Sequence, residues 1–374
     1  MAGIYLHIPF CKQACHYCNF HFSTNHSSLP DMVTAIQQEI QLQQQYLGSQ
    51  PVETIYFGGG TPSLLSTAAI AGILDTLRSH FNVQPGVEIT LETNPDDFTE
   101  DKPAQWAAAG VNRLSIGIQS FYDADLQWMN RAHNAQQAKQ CIAWARAAGI
   151  HNITIDLIYG TPTLSDEGWK NNVQKALALG VPHLSCYALT VEPQTALHKM
   201  IEQHKKEAVD TDKQGRHFEL LMDWLGEAGY EHYEISNFAK PGFRSRHNSS
   251  YWQGSHYLGL GPSAHSFNGT SRQWNIANNA LYLKAIASNE VPFELETLTA
   301  TQQLNEYIMT SLRTMEGLSL DKVALEWGAP ALLAVEQLAV KYIHNGLMVQ
   351  HDRNLRLTPQ GKLLADGIAA DFFQ

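Results

Sequence analysis

Cys11, Cys15 and Cys18 stand on one short stretch, CKQACHYCNF, with the spacing Cys-x3-Cys-x2-Cys. Thiolates bind soft metals and iron–sulfur clusters. Structural zinc sites close a tetrahedron with four ligands, so the fourth must be accounted for. One reading is zinc, closed by His7, His16 or His21. The other is a [4Fe–4S] cube, with three irons on one short loop and the fourth open to an exogenous ligand. The 3,2 spacing favours the cube. Cys141 and Cys186 read as small buried hydrophobes. The first shares a helical face with Ala138, Ile142 and Ala145, and the second lies in an apolar strand. Five cysteines, three of them crowded, do not suit a disulfide framework. They suit a reducing, cytoplasmic setting.

Further candidates follow along the chain. Gly58, Gly59 and Gly60 open GGGTP (58–62), and without side chains they let a ligand approach the backbone. A plain tight turn is the alternative. Glu92 suits a ribose hydroxyl or an ammonium group, or is a solvated carboxylate at a strand end. Gln119 and Asp156 interrupt apolar strand runs, whereas Arg131 taken alone reads as a surface residue.

These residues need a frame. Strands are expected at 4–8, 54–57, 88–92, 113–118, 153–158 and 183–189. Helical spacing appears between them, as in Ser66–Phe81 with Ser66 as N-cap, and in Asn134–Ala148 ending at Gly149. Strands alternating with helices predict an α/β fold with a parallel sheet. Six units predict an incomplete (β/α)6 barrel, with chemistry at the C-terminal strand ends. The cysteine loop, GGGTP, Glu92, Gln119 and Asp156 all fall at that end. Residues 1–229 form the expected partial barrel. Residues 230–300 form an aromatic and histidine-rich connecting region. Residues 301–374 form a smaller α+β domain with a winged-helix-like helix, helix and hairpin pattern.

Bulk composition bounds the function. The length of 374 residues allows two or three domains, and 44% hydrophobic residues supply a core. A net charge of −11 argues against nucleic acid as a partner. The winged-helix-like tail has no basic face either, with four Lys/Arg and four Asp/Glu in residues 331–374. Packing or partner docking is the expected role there. The N-terminus does not read as a signal peptide, and no apolar run reads as a membrane span.

The stretches IYLHIPFC, YFGGGTPS, SIGIQSF, IDLIYGTP and HNSSYW together resemble the radical S-adenosylmethionine (SAM) proteins. Over nearly the whole chain they are similar to the oxygen-independent coproporphyrinogen III dehydrogenase (HemN-like) family. The resemblance implies a [4Fe–4S] cluster on Cys11, Cys15 and Cys18, with SAM chelated at the open iron. An electron from the cluster then cleaves SAM to methionine and a 5′-deoxyadenosyl radical. It further implies that Tyr5, Gly59 and Glu92 contact the first SAM. Tyr17, Gly60, Thr61, Gln119, Arg131 and Asp156 match positions that line a second SAM in the dehydrogenase.

Two departures stand out. Phe20 occupies the position of the dehydrogenase's fourth cysteine, and only ten residues precede Cys11 where the dehydrogenase carries a long extension. Both point to the heme-chaperone branch of the family, which carries heme rather than making it. The dehydrogenase is the alternative reading. The branch implies that His247 of HNSSYW (247–252) is an axial heme donor, beside the flat faces of Tyr251 and Trp252. His256 and His265 are further donors, and Arg244 and Arg246 could meet propionates. The expected partners are heme and recipient hemoproteins, among them membrane-bound respiratory enzymes visited peripherally. A dimer is compatible with this reading.

Overall fold

The computed structural model describes residues 2–374. All six expected strands form: β1 (Ala2–Ile8), β2 (Val52–Gly59), β3 (Val83–Thr93), β4 (Arg113–Gln119), β5 (Asn152–Tyr159) and β6 (His183–Ala188). They pair in sequence order and all in parallel. Each crossover carries a helix whose ends follow local chemistry. The Ser66 hydroxyl caps Thr67–His80 by accepting from Ala69 N–H. Asn134 and Gln137 form a capping box on Ala135–Ala147. Gly149, at φ 83°, ends that segment in the left-handed region.

Strand residues alternate strictly. Ile4, Leu6, Ile55, Phe57, Ile89, Leu91, Leu114, Ile116, Ile153, Ile155 and Leu184 are buried in the main core beneath the helices. The residues between them are Tyr5, Tyr56, Glu92, Ser115, Asp156 and Ser185, and by the period of two they face the lumen. A parallel sheet with two apolar faces reads as continuous apolar runs. Here one face is polar, because the lumen is a chamber rather than a packed core.

The sheet extends beyond six strands at both edges. β7 (Glu231–Glu234) and β8 (Asn237–Ala239) add antiparallel beside β6. β9 (His256–Leu260) pairs parallel to β1, followed by β10 (His265–Phe267), β11 (Ser271–Asn275) and β12 (Phe293–Thr297). The order is β12-β11-β10-β9-β1-β2-β3-β4-β5-β6-β8-β7. Between β8 and β9, the short helix Arg246–Trp252 packs against β1 and β2.

A second core gathers Leu304 to Phe372. It contains Ala300–Leu312, the long helix Leu320–His344 and a three-stranded sheet of Leu318–Ser319, Met348–His351 and Asn354–Leu357. By length and composition alone Leu320–His344 is apolar enough to cross a membrane. Gly328 breaks it at φ 82°, giving the two helices expected from the sequence, and Val323, Val335, Ala339 and Tyr342 are buried in this second core.

Candidate functional site

The cysteine loop follows β1 and is stitched to its neighbours by backbone bonds. Gly60 N–H donates to Ile8 O at 2.9 Å, and Thr61 N–H donates to Phe10 O at 2.7 Å. A Cβ on Gly60 would lie 2.6 Å from Phe10 O, so only glycine lets the two loops touch. Cys11, Cys15 and Cys18 are free, half-buried thiols. Burial pushes the Cys11 thiol up to about 11.

Arg131 ties this loop to the strand ends. Its guanidinium donates to Cys15 Sγ at 3.3 Å, Tyr17 Oη at 3.4 Å, Gly117 O at 2.8 Å and Asn94 Oδ1 at 2.5 Å. The Asn94 amide in turn donates to Thr61 Oγ1 at 3.1 Å. Arg131 is thus a bridging group and not the surface residue its type alone suggests. Asn94 and Tyr56 are members that residue-by-residue reading missed.

The lumen holds the remaining expected residues. Tyr56 donates to Glu92 Oε1 at 2.7 Å, and Tyr5 stacks on Tyr56 at 6.0 Å. Burial pushes the Glu92 carboxyl up to about 7, against the Tyr56 hydrogen bond, with the Asp156 charge adding to the rise. Burial likewise pushes Asp156 up to about 6. Gly59 adopts φ 102° beside the His7 ring. Gln119 also takes a positive φ, 64°, an uncommon conformation for a residue with a side chain. Its amide lies alongside Arg131 and Asn94 over Gly117.

Three thiols on one loop suit the separate corners of a cubane. Among the described residues no three His, Cys, Asp or Glu converge as a single ion requires. A cubane takes its thiolates at separate corners and needs no such convergence. The histidines expected to close a zinc site have partners elsewhere. His7 Nε2 meets His21 O at 2.9 Å, His16 Nδ1 meets Trp128 O at 3.2 Å and His21 Nε2 meets Asn279 Oδ1 at 2.7 Å.

His247 departs from expectation. It is 1% exposed, on the floor of the lumen. Its Nδ1 meets Thr54 Oγ1 at 2.8 Å and its Nε2 meets Tyr251 Oη at 2.8 Å. The ring also stacks on Tyr56 at 5.0 Å. Both nitrogens are spent on protein partners, so His247 presents no axial donor in this arrangement. Arg244 pairs with Glu231 and Glu316, and Arg246 pairs with Glu53. Neither reaches the main cleft.

That cleft, of about 670 Å³, opens beside the cluster loop, between the barrel and the second core. Its walls include Phe20, Tyr251, Trp252, Tyr257, His265 and Trp327, with Arg272 and Lys322 also on the lining. Phe20 is 67% exposed. His265 stacks on Trp274 at 6.0 Å. His256 meets Gln50 at 2.6 Å and is not itself on that lining.

The radical SAM superfamily profile matches residues 5–176, and the HemN C-terminal domain profile matches residues 298–364. The heme chaperone HemW of Mycobacterium tuberculosis is 36% identical over 371 residues, covering 98% of this chain and 93% of its own. The chain belongs to the heme chaperone HemW family. HemW of Bacillus subtilis is 31% identical over 375 residues, covering 100% of this chain and 99% of its own. The coproporphyrinogen III oxidase HemN of Escherichia coli shares the fold at a TM-score of 0.87 and 22% identity, covering 100% of this chain and 90% of that one. As a HemW-family chain it therefore combines the expected radical SAM fold with a C-terminal domain of the HemN type.

Proposed function

We propose that this HemW-family chain is a heme carrier, with its cargo in the cleft beside the cluster loop. One observation carries the reading. Where the dehydrogenase pattern has a fourth cysteine, an exposed Phe20 joins Tyr251, Trp252, Tyr257 and Trp327 on a cleft of about 670 Å³. Aromatic walls of this kind suit a flat macrocycle. His265 is the axial donor in this reading. It lines the cleft, and its ring has no hydrogen-bond partner among the described residues. Burial and the nearby Arg272 charge lower its pKa, favouring the neutral, ligating imidazole.

Cys11, Cys15 and Cys18 would hold a [4Fe–4S] cluster, and Gly58 to Gly60, Tyr5 and Glu92 would receive SAM. When bound, that pair supplies one-electron cleavage of the sulfonium. The Gln119, Arg131 and Asp156 side chains crowd the same chamber. Arg131 sets its cation against Cys15 and so supports a thiolate-rich loop. Delivery to recipient hemoproteins, including respiratory enzymes at the membrane, completes the proposal, with the carrier working in the reducing cytoplasm.

Anaerobic heme titration of the reconstituted protein, followed by Soret absorbance, tests it. Stoichiometric, saturable binding is expected, with no protoporphyrinogen formed from coproporphyrinogen III. Sustained turnover would replace the carrier with the dehydrogenase, and absence of specific heme binding would remove the carrier reading.

A further inference from the structure

The twelve-stranded sheet ends on β12, with only β11 beside it. The register sets Arg272 opposite Glu296 and Trp274 opposite Glu294. At either end, Ile276 N–H donates to Pro292 O and Leu298 N–H donates to Thr270 O, both at 2.9 Å. Bonded pairs alternate in an antiparallel ladder, so Glu294 and Glu296 face β11 with their backbone groups. The N–H and C=O of Leu295 and Thr297 therefore point out along the open edge. Leu295 is 59% exposed and Phe293 45% exposed, which adds apolar surface to this edge.

The edge strand itself is acidic, and the nearest cation, Arg272 on β11, is already paired with Glu306 at 2.9 Å. Residues 285–312 contain Glu290, Glu294, Glu296 and Glu306 and not one Lys or Arg. A second copy pairing antiparallel about Leu295 would set Glu294 against Glu296 twice, and like charges directly opposite are destabilising. The acidic side chains thus guard the edge against self-pairing, as charged residues on edge strands do. They leave it open to a strand of opposite sign.

We infer that β12 is a docking edge for an extended basic segment of a partner protein. That segment, with Lys or Arg alternating with apolar residues, adds to the sheet as one more strand. The strand spacing puts it about 10 Å from β11, whose Arg272 lies on the cleft wall. The docked partner thus stands next to the cargo site. That the partner is a heme recipient rests on the carrier reading; the docking edge itself does not.

The test uses the full chain and a short peptide alternating Lys and Val, with a Glu/Val peptide as control. Binding is read by fluorescence anisotropy and by amide hydrogen exchange. The Lys/Val peptide is expected to bind, to weaken with salt, and to slow exchange at Leu295 and Thr297. Leu295→Pro removes an outward N–H without breaking the β11 ladder. It should weaken binding about tenfold, the factor that 1.4 kcal/mol represents. The Glu294→Lys, Glu296→Lys double variant should instead prefer the Glu/Val peptide. Protection elsewhere, or indifference of binding to both variants, overturns the inference. Heme titration of Leu295→Pro reads the carrier proposal separately, since Leu295 is not on the cleft.

Discussion

His247 and His265 make opposite predictions when each is replaced by alanine. His247 is fully enclosed, so His247→Ala opens a cavity beneath Tyr56 and strips Thr54 and Tyr251 of their partners. Losing a large buried ring costs about 3–5 kcal/mol, and each buried polar group left unpaired costs about 1–3 kcal/mol before it relaxes. A loss of at least about 3 kcal/mol in unfolding free energy is expected. His265 is exposed overall, with its ring only partly buried, and is held by its stack on Trp274, a contact of about 0.5–1.5 kcal/mol. His265→Ala should therefore fold almost as well as the parent. It should nonetheless lose the Soret signature of a histidine-ligated heme and bind heme at least about tenfold more weakly, a difference of 1.4 kcal/mol. Urea unfolding and anaerobic heme titration, run on both variants, separate the cases. Unaltered stability in His247→Ala together with a lost Soret band would refute the reasoning, because His247 would then be a ligand and not a strut. A histidine-ligated spectrum surviving in His265→Ala would move the donor to another wall of the cleft.

Two further perturbations probe the frame. Gly60→Ala places a methyl against backbone atoms of Ile8 and Phe10 that cannot rotate away. Overpacking of this kind costs about 1–3 kcal/mol, and here it should separate the GGGTP loop from the cysteine loop. Iron and sulfide retained after anaerobic reconstitution should fall, whereas Gly215→Ala, where a methyl meets nothing within 4 Å, should retain both in full. An unchanged cluster content in Gly60→Ala would show that the contact does not hold the loop. Glu39 is buried, accepts from Gly261 N–H, Asn275 and Tyr282, and is pushed up to about 7 chiefly by burial. A carboxyl raised in the folded state stabilises fully below its unfolded value, and that contribution is lost as pH rises through 7. At about 1.4 kcal/mol per pH unit the loss is roughly 3 kcal/mol. Glu39→Gln should accordingly be the less stable protein at acid pH and should flatten the decline measured by urea unfolding between about pH 4.5 and pH 7. Parallel pH profiles would exclude Glu39 as its source.

The six barrel strands and the two best-capped helices were legible because their signals are local. Strand alternation, Ser66, the Asn134 box and Gly149 each act within a few residues of themselves. The same locality exposed the cysteine loop, since its three thiols share one short stretch of chain. β7 to β12 were not legible, because most are three to five residues long. They exist by pairing with distant partners, as His256–Leu260 does with β1. HNSSYW shows how a motif can be found while its contacts stay hidden. Read as a helix, it puts residue 251 one turn above residue 247, so the pair meets on one face. That step predicts the His247–Tyr251 bond. No local rule predicts Thr54 on the other nitrogen, 193 positions away. With both nitrogens held, His247 fixes the ring of Tyr251, which does line the cleft. The motif's contribution to the cleft is thus an aromatic wall of set orientation. In the carrier reading proposed above, the axial position goes to His265, outside the motif, on a strand that only the sheet's long-range pairing creates.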